Sequence, residues 1–240
     1  MAQWRFETAS ECAIMIYFDG ELSVSLNESV GQLNSLLIER LAPILIDLVP
    51  SYSSILLSYD VCKISESELK QALILLQQEP LEAGQSINST LVHLPVWYSE
   101  EVGQDLERVA QQSRLEVDQV IKIHSGTDYR AFALGFAPGF AYLGEVDQRI
   151  ATPRLETPRV YVPAGSVAIA DQQTAVYPAA SPGGWNIIGQ CPVELFNPTQ
   201  APYSLIQPAD RVRFVSVNQD TFERIKQCPE HWSLSEGSCV

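Results

Sequence analysis

The sequence predicts an α+β protein in which a small α/β sandwich precedes a β-barrel or β-sandwich. Short apolar strands alternate with two amphipathic helices in the first part of the chain. From Tyr129 onward, short apolar runs are separated by glycine and proline turns. A polar, small-residue stretch, Leu81–Ser89, lies between these two patterns. We therefore divide the chain into a first domain, residues 1–85, and a second, residues 86–240.

The first domain is predicted to run strand, helix, strand, strand, helix. Valine and leucine recur on one stripe of Asn27–Leu41, which favours an amphipathic helix. Ser65 and Glu68 have the spacing of a capping box, so we expect a second helix to begin there and to end near Pro80. The predicted strands are Cys12–Phe18, Ile44–Leu48 and Ile55–Tyr59. This order is typical of helices packed on one face of an antiparallel sheet.

The second domain is predicted to begin and end with strands that frame the turn-rich region. Thr90–Tyr98 alternates apolar and polar residues, and Arg211–Val217 is predicted to be a closing strand. Helices are expected at Glu101–Gln112, Glu116–His124 and Thr221–Gln227. The polar tail, Pro229–Val240, is expected to be loose.

Composition narrows the classes of partner and ligand. The chain has 29 acidic and 15 basic side chains, a formal charge of −14, which argues against nucleic acid and anionic membrane surfaces. No signal peptide and no apolar run of about 20 residues is found, so we expect a soluble, cytoplasmic protein. The five cysteines are scattered without C-x-x-C spacing. Their placement argues for reduced thiols and against a zinc site, and no metal ligand set is found.

Three side chains are the candidates for acid–base and anion chemistry. His124 lies at a predicted helix end, where imidazole can transfer protons near neutral pH, although a histidine also simply stabilises a helix C-terminus. Arg154 and Arg159 each follow a proline, which places a guanidinium on stiff, extended backbone suited to carboxylate or phosphate. Ordinary surface salt bridges are the alternative for both arginines.

Other candidates could line a site around these residues. Gly165 and Ser166 could present backbone N–H groups and a hydroxyl to an anion, or form only a tight turn. Asp105 is explained most simply as a helix cap. Four aromatic residues could wall a pocket or form a partner surface, although aromatic residues more often belong to a core: Phe136, Phe140, Tyr142 and Trp185.

The two remaining features are a glycine pair and a glutamine. Gly183 and Gly184 permit close backbone approach, or form only a hairpin turn. Gln173 follows a predicted turn and could line the site.

The motifs between His124 and Gly189 carry a family resemblance. They are G-F-A-P-G-F-A-Y-L from Gly135, the two Pro-Arg pairs, P-A-G-S-V-A-I-A from Pro163 and S-P-G-G-W-N-I-I-G from Ser181. Their order resembles the B subunits of the bacterial ATP-dependent 5-oxoprolinases. The same family was long labelled allophanate hydrolase subunit 1, and it includes the Kip-type inhibitors of sporulation histidine kinases.

The resemblance implies an N-terminal α/β domain, a C-terminal cyclophilin-like β-barrel and a heteromeric enzyme. The B subunit would act with a homologous C subunit and with an A subunit to cleave 5-oxoproline to glutamate using ATP, bound at the partner interface or on the partner. The B–C pair would activate the lactam by phosphorylation, and the A subunit would open the ring. The alternatives are a kinase inhibitor and a component of allophanate metabolism.

By resemblance, the side chains of these motifs would face the B–C site. His124 would donate to the lactam or shuttle its proton, and Arg154 and Arg159 would bind carboxylate or phosphate oxygens. The remaining members of this implied site are Ser166, Gln173, Gly183, Gly184 and Trp185.

Overall fold

The computed structural model describes residues 3–78 and 89–239. The chain divides into two compact units, Met1–Ser89 and Thr90–Val240. The boundary predicted at residues 85–86 lies outside the described residues. The α+β class is confirmed, with a four-stranded sheet and helices in the first unit and a closed barrel in the second.

The first unit is an antiparallel sheet in the strand order β1-β2-β4-β3 together with two helices. Its elements are β1 (Trp4–Ser10), β2 (Ala13–Phe18), α1 (Val24–Leu41), β3 (Leu45–Pro50), β4 (Ser54–Tyr59) and α2 (Glu66–Leu76). The predicted capping box at Ser65 and Glu68 is confirmed, with both reciprocal hydrogen bonds formed. The predicted leucine stripe of α1 is buried in the core at Leu33 and Leu37.

Strand β1 was not predicted, and the first unit begins with two strands rather than one. β1 pairs with β2 along its length but leaves most of its side chains accessible, and Trp4 is its one buried residue. Backbone pairing with β2 holds this edge strand, together with Trp4 and the partly buried Phe6, which pack on the core of the first unit.

The described part of the second unit contains three α-helices, one 3-10 helix, the strands of the barrel and two short two-stranded sheets. Its elements are β5 (Leu91–Trp97), α3 (Leu106–Ser113), α4 (Val117–Ser125), β6 (Asp128–Leu134), β7 (Ala141–Gly144), β8 (Arg159–Val162), β9 (Ser166–Ala170), β10 (Gln173–Val176), β11 (Ser181–Gly183), β12 (Asn186–Gln190), β13 (Arg211–Val217), α5 (Gln219–Gln227), a 3-10 helix (Pro229–His231), β14 (Trp232–Ser233) and β15 (Ser238–Cys239).

Seven of these strands close the barrel in the order β10-β7-β6-β13-β5-β12-β9, and β9 pairs with β10 to complete it. The predicted closing strand, Arg211–Val217, is confirmed and lies parallel to β5. Strands β8 and β11 form a separate two-stranded sheet, which brings Arg159 opposite Gly183. The two sequence motifs that contain these residues are therefore neighbours in the fold.

The C-terminal tail is not loose as predicted. Its 3-10 helix packs on α5, and the β14–β15 ribbon lies on strand β5, where the indole N–H of Trp232 donates to the carbonyl of His93 at 2.9 Å. The backbone N–H of His93 in turn donates to the carbonyl of Leu234 at 2.8 Å. A buried indole supplies the apolar contact that the polar composition of the tail concealed.

No helix in residues 3–78 and 89–239 combines the length and the apolar character needed to cross a membrane.

Candidate functional site

Five rings pack into one aromatic cluster on the second unit: Phe136, Phe140, Tyr142, Tyr177 and Trp185. Phe140 lies at its centre, with ring centroids 4.9 Å from Tyr142, 5.6 Å from Tyr177 and 5.8 Å from Trp185. These rings meet edge to face, the arrangement that their quadrupoles favour. Of the predicted aromatic residues, Phe140 and Trp185 are therefore buried walls, and Tyr142 is half-buried.

Phe136 is the exposed member of the aromatic cluster. Its side chain is 62% exposed, although its ring contacts Phe140 at a centroid distance of 5.2 Å. The backbone at Phe136 has φ +72°, a left-handed conformation that is costly for a bulky residue. Gly135 and Gly139 flank it with positive φ, so the G-F-A-P-G segment is a tight turn that presents one aromatic ring outward.

Arg154 lies over the indole of Trp185, with its guanidinium carbon 5.5 Å from the ring centroid. Such a contact is a cation–π interaction and leaves the edge of the guanidinium available to an anion. The backbone N–H of Leu155 donates to the carbonyl of Gly184 at 2.7 Å. This bond holds the segment that carries Arg154 against the S-P-G-G-W loop.

Arg159 forms the central ion pair of the site. Its Nη2 donates to Oδ1 of Asp105 at 2.7 Å, and its Nη1 donates to the carbonyl of Trp185 at 3.4 Å. Asp105 is only 4% exposed, and its Oδ2 accepts from the backbone N–H of Ile187 at 2.7 Å. Both carboxylate oxygens are thus bonded, and they fix where the Arg159 guanidinium lies.

Asp105 is the N-cap residue of helix α3, as expected, but it does not cap the helix through its side chain. Asp105 precedes helix α3, but its side chain makes no capping hydrogen bond because Arg159 and Ile187 occupy it. Gly103 explains how the helix comes so close to strand β12, since a Cβ at this glycine would meet the carbonyl oxygen of Ile188 at 2.5 Å. Gly103 therefore lets the chain approach β12 closely enough for the buried Asp105 carboxylate to bond to that strand.

Two further residues of the site, Asn186 and Arg108, were not predicted. Asn186 is fully buried, and its amide nitrogen donates to the carbonyls of Pro153 and Ile169, each at 3.0 Å. Its Oδ1 accepts a hydrogen bond from Nη1 of Arg108. Asn186 therefore ties the segment before Arg154 to the barrel and to helix α3. The only signal in the sequence was the place of Asn186 directly after Trp185.

Tyr177 is the missed residue in the aromatic cluster. Burial, the largest effect, raises the pKa of its phenol, while a hydrogen bond with the backbone of Trp185 and the charges of Arg154 and Arg159 lower it. The phenol therefore stays protonated at neutral pH in a positive field. A Cβ at Gly183 would lie 2.2 Å from its hydroxyl oxygen, so this glycine is required for the phenol to fit.

His124 is not part of this arrangement. It lies in the barrel core with no exposed surface, and its ring stacks on Phe214 at a centroid distance of 4.6 Å. The Thr174 hydroxyl donates to the carbonyl of Ala168, so it accepts from Nε2–H of His124 at 2.9 Å, and Nδ1 then accepts from the Tyr98 hydroxyl at 2.7 Å. Burial lowers the pKa of the imidazole to about 3.

This environment speaks against the proton-transfer role expected of His124. Both ring nitrogens have protein partners and water has no access, so a substrate cannot reach the imidazole in this structure. His124 lies in the last turn of helix α4, as predicted, but as a buried core residue rather than an exposed group at the helix end.

Ser166 and Gln173 lie on barrel strands rather than beside the arginines. The backbone N–H groups of Gly165 and Ser166 donate to the carbonyls of Tyr177 and Pro163, at 2.7 and 3.3 Å. These N–H groups are therefore already bonded, and the anion nest expected at this turn does not form. Gln173 pairs with Gly144 in the β10–β7 ladder and is half-buried.

The candidate site is thus a cluster of arginines, glycines and one indole. The structure brings together Arg154, Arg159, Gly183, Gly184 and Trp185, with Asp105, Tyr177, Asn186 and Arg108 as their neighbours. No group of three metal-ligating side chains lies among the described residues. The arrangement has guanidinium groups beside an aromatic wall and glycine backbone, which suits an anionic ligand with a planar portion.

The chain belongs to the family described as "Carboxyltransferase domain, subdomain C and D", whose model matches residues 4–206. More particularly, it is similar to the B subunit of the 5-oxoprolinase of Bacillus subtilis, with 34% identity over 234 residues that cover 94% of this chain and 98% of that protein. The resemblance seen in the sequence is confirmed.

Further similarities extend this comparison. The chain is 35% identical over 217 residues to the 5-oxoprolinase B subunit of Escherichia coli O157:H7, covering 90% of this chain and 97% of that protein. Among solved structures, TTHA0988 is similar with a TM-score of 0.75 and 35% identity over 90% of this chain. This chain spans 40% of the length of TTHA0988.

Proposed function

We propose that this chain is the B subunit of an ATP-dependent 5-oxoprolinase, which cleaves 5-oxo-L-proline to L-glutamate with release of ADP and phosphate. The observation that carries the proposal is the near end-to-end similarity to the B subunits of two 5-oxoprolinases, which this chain covers over 98% and 97% of their lengths. The chain is active only as part of a complex, and the complex is cytoplasmic.

The chemistry explains why ATP is needed. An unstrained lactam carbonyl is a poor electrophile, so its opening requires activation before attack by water. Arg159, oriented by Asp105, binds a carboxylate or phosphate oxygen, and Arg154 on Trp185 binds a second. Gly183 makes room for the Tyr177 phenol, and the carbonyl of Gly184 holds the segment that carries Arg154. His124 maintains the barrel core and takes no part in proton transfer.

The partners of this chain are a homologous C subunit and the A subunit of the complex. TTHA0988 supports an association with further protein, because the region similar to this chain is 40% of a longer polypeptide. Phe136, exposed beside the site, is the residue that we assign to the contact with the C subunit. ATP binds at this interface or on the partner.

Reconstitution tests the proposal. The purified chain is mixed with the A and C subunits from the same source, and glutamate release is measured with and without ATP. We expect activity from the three together, no activity from this chain alone, and a loss of at least tenfold for Arg159→Gln. Arg211→Gln is the matched control. Arg211, on strand β13, also forms an ion pair, with Asp128 on strand β6, but it is not part of the candidate site. Glutamate release at background from the complete mixture rejects the proposal.

A kinase inhibitor is the second candidate, and one observation favours it. Docking on a kinase requires an exposed aromatic surface. Phe136 supplies an exposed ring, whereas Phe140 is only 2% exposed and cannot contact a kinase. The assay is autophosphorylation of a sensor histidine kinase in the presence of this chain. A role in allophanate metabolism ranks last, since identity to the urea amidolyase of Saccharomyces cerevisiae is 20% and this chain covers 13% of that enzyme.

A further inference from the structure

Arg154 is held over the indole of Trp185 by hydrogen bonds to the peptide groups on either side of it. The backbone N–H that follows Arg154 donates to the carbonyl of Gly184 at 2.7 Å. The carbonyl of Pro153, which precedes Arg154, accepts from the side-chain amide of Asn186 at 3.0 Å. Gly184 and Asn186 are the two chain neighbours of Trp185, so these bonds set the arginine segment alongside the loop and bring its guanidinium over the ring.

Asn186 can hold this segment in only one orientation of its side-chain amide. Its Nδ2 group faces the carbonyls of Pro153 and Ile169, each at 3.0 Å, and must therefore be the donor to both. If the amide were turned over, its oxygen would lie against these two carbonyl oxygens, and both contacts would be repulsive. Asn186 is fully buried, so water cannot compensate for the wrong orientation.

Arg108 selects the orientation of this amide. A guanidinium carries donors and no acceptor, so Nη1 of Arg108 bonds the oxygen of Asn186 and would repel its NH2 group. Arg108 is half-buried on helix α3, which packs on strand β12, and Asn186 is the first residue of that strand. Among the described residues, no other donor bonds to the Asn186 oxygen. Loss of Arg108 would leave a buried acceptor unpaired and would remove the group that orients the amide.

We infer that Arg108 is a positioning residue that acts through Asn186 to fix Arg154. Arg108 orients the amide, and the amide holds the peptide group that precedes Arg154. This role rests on the proposed function, which gives Arg154 its use in binding an oxyanion, and it adds the group that keeps this arginine in place.

Helix α3 then holds both arginines of the candidate site. Asp105 at its start bonds Arg159 directly and also accepts from the backbone N–H of Ile187. Arg108 follows three residues later, a spacing that puts two side chains on one side of a helix, and it bonds Asn186, the residue before Ile187. One turn of helix thus positions two guanidinium groups that come from another part of the chain.

NMR of the full-length chain, with arginine labelled selectively, tests the inference directly. Protons above the face of an indole shift upfield, so the side-chain signals of Arg154, assigned by their loss in Arg154→Lys, report its contact with Trp185. We expect Arg108→Gln to remove most of this upfield shift. Arg108→Lys still donates to Asn186 and should retain part of it. Arg114→Gln is the matched control, because Arg114 is an exposed arginine at the other end of the same helix, and should leave the shift unchanged.

A second variant separates positioning from general damage to the fold. Asn186→Asp keeps an oxygen for Arg108 but replaces the Nδ2 donor, so the upfield shift of Arg154 should be lost although the contact with Arg108 is kept. Thermal unfolding checks that each variant folds at the temperature of the NMR measurement.

Activity of the reconstituted complex gives a readout that a merely structural role would not reproduce. Arg108→Gln should change the same kinetic constant, kcat or KM, as Arg154→Gln does, and by a smaller factor. The double variant should be no less active than Arg154→Gln alone, because Arg108 acts through Arg154. Independent contributions would instead multiply.

An unchanged upfield shift of Arg154 in a folded Arg108→Gln, or losses that multiply in the double variant, overturns the inference. The NMR measurement needs no activity, so its outcome is separable from that of the proposed function. Loss of the upfield shift without any glutamate release by the complex leaves the positioning role standing and removes the enzyme proposal. Glutamate release with an unchanged upfield shift does the reverse.

Discussion

Arg159 and Asp105 form a 2.7 Å ion pair that joins strand β8 to the start of helix α3, 54 residues earlier in the chain. Asp105 is 4% exposed and Arg159 retains 24% side-chain exposure. The carboxylate is thus enclosed, while the guanidinium still faces the ligand side. An arrangement of this kind fixes a cation in place without hiding it, which is what recognition of an anion requires.

Replacing Asp105 should lower both stability and activity, by an amount that depends on the replacement. Asp105→Ala removes the partner of Arg159 and the acceptor of the Ile187 N–H, so we expect a loss of about 2–4 kcal/mol in the free energy of unfolding. Asp105→Asn keeps an acceptor for Ile187 but loses the charge, so we expect a smaller loss of about 1–2 kcal/mol. Urea unfolding measures both values, and glutamate release by the reconstituted complex should fall in both variants.

Asp147→Ala is the control for this comparison. Asp147 also forms a 2.7 Å ion pair, with Arg149, but on the surface, where a single pair adds little stability. Equal effects of Asp105→Ala and Asp147→Ala would contradict the role of the buried pair.

The buried imidazole of His124 should make stability depend on pH. Its pKa is lowered by burial to about 3 in the folded chain, against about 6.5 when unfolded. The unfolded chain therefore takes up a proton below about pH 6.5 while the folded chain does not. The stability attributable to neutral His124 is complete above pH 6.5 and declines as pH falls toward 3, by up to about 1.4 kcal/mol per pH unit.

Urea unfolding between pH 4 and pH 8 tests this dependence on His124. His124→Gln should remove the contribution of this residue to the slope below pH 6.5, and His231→Gln, at an exposed histidine, should not. An unchanged slope in His124→Gln would place the origin of the acid sensitivity elsewhere.

Local patterns predicted most of the elements, because periodicity and capping are properties of neighbouring residues. The amphipathic stripe of α1, the capping box of α2 and the closing strand β13 all follow from such patterns. Strand β1 was missed because little of it is buried, so that it lacks a clear apolar face. The docked tail was missed because its anchor, Trp232, contacts a strand far away in sequence.

The candidate site was predictable only in part, because some of its contacts join residues that are distant along the chain. Proline–arginine pairs and glycine loops are visible locally, and the structure brings Arg154, Arg159, Gly183 and Trp185 together. The place of Asp105 at a helix start was predicted, but its ion pair with Arg159 was not, because Arg159 is distant along the chain. The burial of His124 depends on the closure of the barrel, which no local pattern records.

Phe136 should contribute to partner binding more than to stability. It is 62% exposed and adopts a left-handed backbone conformation that asparagine tolerates better. We expect Phe136→Asn to change the free energy of unfolding by less than about 1 kcal/mol, because relief of backbone strain offsets the lost ring contacts. Affinity for the C subunit, measured by isothermal titration calorimetry, should fall at least tenfold.

Tyr203→Asn is the control for Phe136, because Tyr203 is a similarly exposed aromatic residue at 57%. Full affinity for the C subunit in Phe136→Asn would remove this ring from the proposed contact.

The glycine pair of the S-P-G-G-W loop should respond very differently to one added methyl group. In Gly183→Ala the new Cβ would lie 2.2 Å from the Tyr177 hydroxyl, so the phenol must move, and we expect a loss of about 1–3 kcal/mol in stability with loss of activity in the complex. In Gly184→Ala the Cβ would lie 3.6 Å from Pro158, an ordinary contact, so stability and activity should be retained. Thermal unfolding and glutamate release measured side by side decide the matter. If Gly183→Ala is tolerated, the position of the Tyr177 phenol is not needed for activity. If Gly184→Ala is damaging, activity depends on the conformation of the loop rather than on the fit of Tyr177.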